Sequence, residues 1–235
     1  MKKKLIFLSG LLCDATIWQK QIDFFSAEYD VSAFEFSHLD NLKEMAAMVI
    51  KQLDSPSIVV GHSMGARVAL EVFRAAPELV SKLALLDFGI HPKKPGEAEK
   101  RYALIEETRQ QGMQYLIKHW LESMVYEPNI HQSSIFEPMK AMVLSKDIES
   151  FKAQINALLN RPNVEALFKD INIPLYLGVG RQDQWSTLAQ HQEMKECNPS
   201  ASLFVYENSG HMSPLEAADQ VNQSLKQWLH TYEQA

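Results

Sequence analysis

The chain is expected to fold as an α/β protein, a doubly wound and mostly parallel sheet carrying an inserted all-helical segment. Short apolar, β-prone runs alternate with amphipathic stretches of helical period. The alternation breaks once, between Pro92 and Pro162. Hydrophobic residues fill 46% of the 235 positions, enough for one large core. Strand-like runs lie near 4–9, 31–36, 57–61, 82–87, 173–179 and 202–206, and helical runs near 15–27, 40–54, 64–76, 187–197 and 214–232. Within the break the pattern turns helical and methionine-rich, over about 97–111, 113–125, 134–144 and 147–159. Such an insertion sits at the carboxyl ends of the strands, where ligands of α/β sheets bind. Residues 93–162 are therefore expected to cap a core made of residues 1–92 and 163–235. Lys93-Lys94-Pro95-Gly96 reads as the hinge between them.

The third strand ends in Gly61-His62-Ser63-Met64-Gly65, and a helical pattern starts at once. Strand, G-x-S-x-G, helix is the context that gives this motif its meaning. The chain must reverse within a residue, which strains the backbone of Ser63 and lifts its hydroxyl clear of the sheet. The helix beginning there aims the N–H of Met64 at any oxyanion formed beside Ser63. Ser63 is the candidate nucleophile.

A serine needs a base, and the base an orienting acid. Of the eight histidines, His211 has the setting for it. It follows the run 202–206 and the turn residues Asn208, Ser209 and Gly210, and Pro214 then opens the last helix. His62 points away from its neighbour Ser63 and is read as packing or as the site floor. His38, His91, His119, His131, His191 and His230 are expected at the surface or in the cap. Two acids end apolar runs, Asp183 after 174–182 and Asp87 after 82–86, and either keeps the order Ser, Asp, His. Asp183 is favoured because the loop opened by Gly178 and Gly180 can carry a carboxylate to His211.

These motifs resemble the α/β-hydrolase family, in particular small cap-bearing bacterial serine esterases. The likeness runs nearly end to end, through Leu8-Ser9-Gly10-Leu11-Leu12-Cys13-Asp14 with Trp18 nearby, the Ser63 motif, Gly180-Arg181-Gln182-Asp183 and Gly210-His211-Met212. It implies an oxyanion hole built from the backbone N–H groups of Leu11 and Met64. Ser9 stands where the family usually has His, and Ala66 where a third Gly is common. The first touches loop support and the second adds one methyl at a packing contact, so neither departure removes a triad residue.

The net charge of −6 offers no basic surface for nucleic acid. Cys13 and Cys197 lie far apart in dissimilar contexts and read as free thiols of a reducing, cytoplasmic compartment. No Cys/His spacing suits a metal and no glycine loop suits a phosphate, so neither metal nor cofactor is expected. Lys2-Lys3-Lys4 and the apolar residues after it imitate a leader, but Leu12 stands where cleavage wants a small residue. No stretch is long enough to span a bilayer, and the expected partner is a small-molecule ester.

The expected reaction is hydrolysis of a small or medium acyl ester through an acyl-enzyme. Trp120 and Phe136 of the cap, with Trp185 just past Asp183, are the candidate substrate contacts. Three alternatives stay open. The same triad could run carbon–carbon hydrolysis, lactone opening or an elimination like that of the menaquinone-pathway lyase, for which Arg67 speaks, although an ion pair is the plainer role for that arginine. A thioesterase or acyl-carrier-protein ester hydrolase would want a basic patch at the pocket mouth, with Lys118, Lys140, Lys146 and Lys152 as candidates. The third is a ligand-binding protein without turnover.

Overall fold

The computed structural model describes residues 2–231. Six parallel strands form one sheet: β1 (Lys4–Leu8), β2 (Asp30–Phe34), β3 (Ser57–His62), β4 (Val80–Leu86), β5 (Leu175–Gly180) and β6 (Ser202–Tyr206), in the order β2-β1-β3-β4-β5-β6. β3 and β5 are buried along their whole length, as expected of central strands covered on both faces. Lys4–Leu8, the run that imitates a leader, pairs with β2 on one side and β3 on the other.

Around the sheet lie α1 (Gln19–Phe25), α2 (Leu42–Ile50), α3 (Met64–Ala75), α10 (Leu188–Cys197) and α12 (Ala218–Thr231). Right-handed crossovers put α1 on one face and α2, α3 and α10 on the other. α12 joins α1, and α2 packs on α3. The two directions of winding part between β1 and β3, which opens a crevice at their carboxyl ends.

The insertion follows β4 as α4 (Glu97–Gln111), α5 (Gln114–Leu116), α6 (Glu127–Ile130), α7 (Ser133–Leu144) and α8 (Ile148–Leu159), with α9 (Glu165–Lys169) leading back to β5. The helical run expected at 113–125 is broken into α5, a π turn at Ile117–Leu121 and a 3-10 turn at Glu122–Met124. The run expected at 214–232 divides at Ala217 into α11 (Ser213–Glu216) and α12, and position 232 lies outside the described residues. Glu216, the last residue of α11, reaches back to the loop that carries His211. α6 and α9 are short helices that the periodicity did not announce.

Candidate active site

β3 ends in a backbone that only its neighbours could hold. Ser63 sits at φ 54°, ψ −114°, where a non-glycine residue is strained. Two glycines permit the turn. A Cβ on Gly61 would come 2.5 Å from Ala66 Cα, and one on Gly65 would come 2.0 Å from the carbonyl oxygen of Leu8. The second contact presses the start of α3 against the end of β1, and so brings Met64 close to the loop that carries Leu11. Met64 lines the cavity beside Ser63, whereas Leu11 does not. Leu11 is followed by Leu12 at φ 57°, and the N–H of Leu12 donates to Oε1 of Gln154 on α8 at 2.8 Å.

Ser63, His211 and Asp183 form one hydrogen-bonded chain. His211 Nε2 lies 2.8 Å from Ser63 Oγ, and His211 Nδ1 lies 2.8 Å from Asp183 Oδ2. The other oxygen of Asp183 accepts the N–H groups of Trp185 at 2.8 Å and Ser186 at 2.9 Å, so the carboxylate cannot rotate away. Burial works against its charge, but the His211 imidazole and these amides outweigh it, and its pKa is lowered. Burial also works against the imidazolium of His211, yet Asp183 raises its pKa above the ordinary 6.5.

Asp87, the other candidate acid, does not touch His211. Its Oδ1 accepts the N–H of Gly180 at 3.0 Å and its Oδ2 accepts the hydroxyl of Ser213. It is wholly buried, and burial together with the charge of Asp183 pushes its pKa well above the ordinary 3.8. His62 packs beneath the site instead of lining it. Its Nε2–H donates to the carbonyl of His211 at 2.7 Å, and burial pulls its pKa down to about 3, so the ring stays neutral.

Two supports escaped the sequence. The carboxylate of Glu216 accepts the N–H groups of Gly210 and Met212 at 3.0 Å each, and those of Tyr126 at 2.8 Å and the Asn129 side chain at 2.9 Å. It thereby ties the His211 loop to the helical insertion. The only signal was the Ser213-x-x-Glu216 spacing, which reads as a helix cap. Gln154 gave no signal, because one polar residue on an apolar helix face does not name its partner.

A cavity of about 460 Å³ opens over Ser63 and His211, walled by sheet loops and by residues of the insertion, including Leu104, Trp120, Ile155 and Leu158. Trp120 and Trp185 line it; Phe136 does not. Phe136 is 6% exposed and packs with the buried cluster, so its expected substrate contact is corrected to a packing role. His191, expected at the surface or in the cap, is fully buried on α10 with Nδ1 3.0 Å from the carbonyl of Thr187. Lys118, Lys140, Lys146 and Lys152 do not line the cavity, and Lys146 instead pairs with Asp14 at 3.0 Å and with Glu35. Arg67 makes no ion pair among the described residues; it donates to backbone carbonyls. Cys13 is buried, with its thiol pushed up to about 12 by burial, and Cys197 is exposed; both are free. Among the described residues, no group of three or more His, Cys, Asp or Glu is placed to hold a metal, and no helix is long and apolar enough to cross a membrane.

Residues 5–224 match the alpha/beta hydrolase family, and the chain belongs to that family. Among curated relatives it is 25% identical to an (E)-2-((N-methylformamido)methylene)succinate hydrolase of Acinetobacter baylyi, over 97% of this chain and 90% of that protein. It is also 25% identical to a pimeloyl-[acyl-carrier protein] methyl ester esterase of Vibrio parahaemolyticus, over 88% of this chain and 86% of that one. The fold of a thermophilic esterase from Thermogutta terrifontis superposes with a TM-score of 0.89 at 22% identity, covering 98% of this chain and 90% of that one.

Proposed function

We propose that this hydrolase cleaves carboxylic esters with Ser63 as nucleophile, His211 as base and Asp183 as the orienting acid. The observation that carries the reading is the unbroken chain from Ser63 Oγ through both nitrogens of His211 to Asp183, on a serine held at positive φ. As Oγ bonds to the ester carbonyl carbon, its proton passes to Nε2. The N–H groups of Met64 and Leu11 receive the oxyanion, and one such donor is worth about 3 kcal/mol. The tetrahedral adduct then collapses, the C–O bond to the alcohol breaks, and the alcohol leaves with the proton from Nε2. Water, deprotonated by His211, releases the acid and restores Ser63.

The helical insertion acts as the cap. Leu104, Trp120, Ile155 and Leu158 offer apolar wall to an acyl chain, and Trp185 guards the mouth beside His211, its ring 6.4 Å from the imidazole. The volume of about 460 Å³ suits a small or medium acyl group. An ester hydrolase among the relatives of similar length supports the same reading.

The test is covalent labelling. A fluorophosphonate probe should modify the wild type at Ser63 and release of p-nitrophenol from short-chain esters should stop with it. Ser63→Ala should show neither while melting near the wild-type temperature. Equal labelling of the two proteins would remove Ser63 from the mechanism.

A further inference from the structure

Arg67 lies one helical turn beyond Ser63 on α3, lines the same cavity, and is only 9% exposed. Its Nη2 donates to the carbonyls of Gly89 and, at 3.0 Å, His91, while its Nη1 is shielded from solvent and has no hydrogen-bond partner. A buried guanidinium without a counter-ion is costly, and no acid among the described residues forms an ion pair with it. Among the described residues that line the cavity Glu97 is the only acid, and it is already taken. Arg161 grips both of its oxygens at 2.8 Å, and Arg101 holds one at 3.0 Å. The carboxylate of Glu71 is held by Arg74 at 3.2 Å. Lys94 and Lys100, both exposed, add two more positive groups to the lining. Burial and the repulsion of Arg161 draw the pKa of Arg67 down to about 9, so it remains charged at neutral pH while lacking an anion.

We propose that the missing anion belongs to the substrate: the cavity takes an ester whose acyl chain ends in a second, free carboxylate, a half-ester of a dicarboxylic acid. The carboxylate sits among Arg67, Arg101, Lys94 and Lys100 while the ester carbonyl meets Ser63. The arginine pair on Glu97 shows that this end of the cavity already grips a carboxylate in the fork geometry guanidinium favours. The acyl side is the useful place for such a clamp. It stays on Ser63 through both halves of the reaction, so its binding energy serves acylation and deacylation alike. The inference rests on the ester-cleaving reading of Ser63.

Kinetics on matched pairs test it. Monomethyl esters of dicarboxylic acids from succinate to suberate are each compared with the neutral methyl alkanoate of equal chain length. At the best length the wild type should favour the half-ester by about tenfold or more in kcat/KM, the range of a hydrogen bond to a charged group. Rising salt should shrink that ratio. Arg67→Gln should collapse it to about one, and Lys100→Gln, an exposed change that does not endanger folding, should lower it. Lys152→Gln, on α8 but outside the cavity lining, should leave it unchanged. A neutral ester preferred or equalled at every length overturns the proposal, as does an Arg67→Gln ratio equal to that of the wild type. A second arm stands apart from turnover, the protection of Ser63 from the fluorophosphonate by adipate against hexanoate. If Ser63 labels but neither kind of ester is cleaved, the ester reading fails. The anion site then stands if adipate protects better, and falls if the two protect equally.

Discussion

Replacing Asp183 by Asn removes one charge and reverses one hydrogen bond, and the consequence can be followed atom by atom. In the wild type, Oδ1 accepts the amides of Trp185 and Ser186 at 2.8 and 2.9 Å, and Oδ2 accepts the Nδ1–H of His211 at 2.8 Å. An asparagine must keep its carbonyl oxygen on the two amides, because its NH2 group cannot accept from them. It then presents N–H donors to His211. The imidazole keeps that contact only by leaving Nδ1 bare and carrying its proton on Nε2, which faces Ser63 Oγ at 2.8 Å. In this tautomer the ring cannot take the serine proton. Serine protease triads lose about 10⁴ in kcat by this route, or ~5.4 kcal/mol at 1.36 kcal/mol per decade. The acidic limb of the pH–rate profile should move as well. The neutral imidazole is the base, so activity falls as pH drops through a His211 pKa that Asp183 holds above 6.5 against the opposing effect of burial. Without that negative charge the limb shifts to lower pH.

Asp87→Asn should behave differently. Burial and the charge of Asp183 raise the pKa of Asp87, and its two contacts, the N–H of Gly180 and the hydroxyl of Ser213, can both be kept by an amide. Asparagine is then close to isosteric, and it tolerates the positive φ of 49° found at this position. The loss should stay below about tenfold. The assay is hydrolysis of p-nitrophenyl butyrate, with rates normalised to the fraction of sites a fluorophosphonate titrates. A larger loss for Asp87→Asn than for Asp183→Asn would refute the reasoning and move the acid to the end of β4.

Trp120→Ala should enlarge the cavity and move the optimum acyl length upward in kcat/KM across an ester series, whereas Phe136→Ala should leave the optimum in place and cost about 3–5 kcal/mol in chemical denaturation. The same optimum in both variants would mean that Trp120 meets no substrate. Gln154→Met leaves the N–H of Leu12 without its partner and loosens the Leu11 loop from α8; kcat should drop about tenfold with little change in KM, the pattern of an interaction made in the transition state. Gly65→Ala drives a Cβ to within 2.0 Å of the Leu8 carbonyl, where backbone must move. Urea titration should show a loss of more than about 3 kcal/mol, and a wild-type midpoint would contradict the contact.

The strand and helix alternation, the position of the helical insertion and the placement of Ser63, Asp183 and His211 at strand ends were legible in the chain because each is local. Periods of two and 3.6 residues, glycines where the backbone turns sharply, and polar residues just past apolar runs leave their mark within about ten positions. The choice between Asp87 and Asp183 as the partner of His211 was a matter of distance across β4, β5 and β6, which spacing along the chain could favour but not measure. The same holds for Phe136 and Trp120, two buried aromatics of one insertion of which Trp120 lines the cavity and Phe136 does not. Glu216 and Gln154 look like ordinary helix residues until folding sets a backbone N–H from a distant loop against each, and Arg67 looks like half of an ion pair until packing leaves it without an acid. Local covalent chemistry and hydrophobic period specify the elements. Partners more than a hundred residues apart, such as Leu12 and Gln154 or Ser63 and His211, are chosen only when burial removes water as the alternative and forces each polar group to find another.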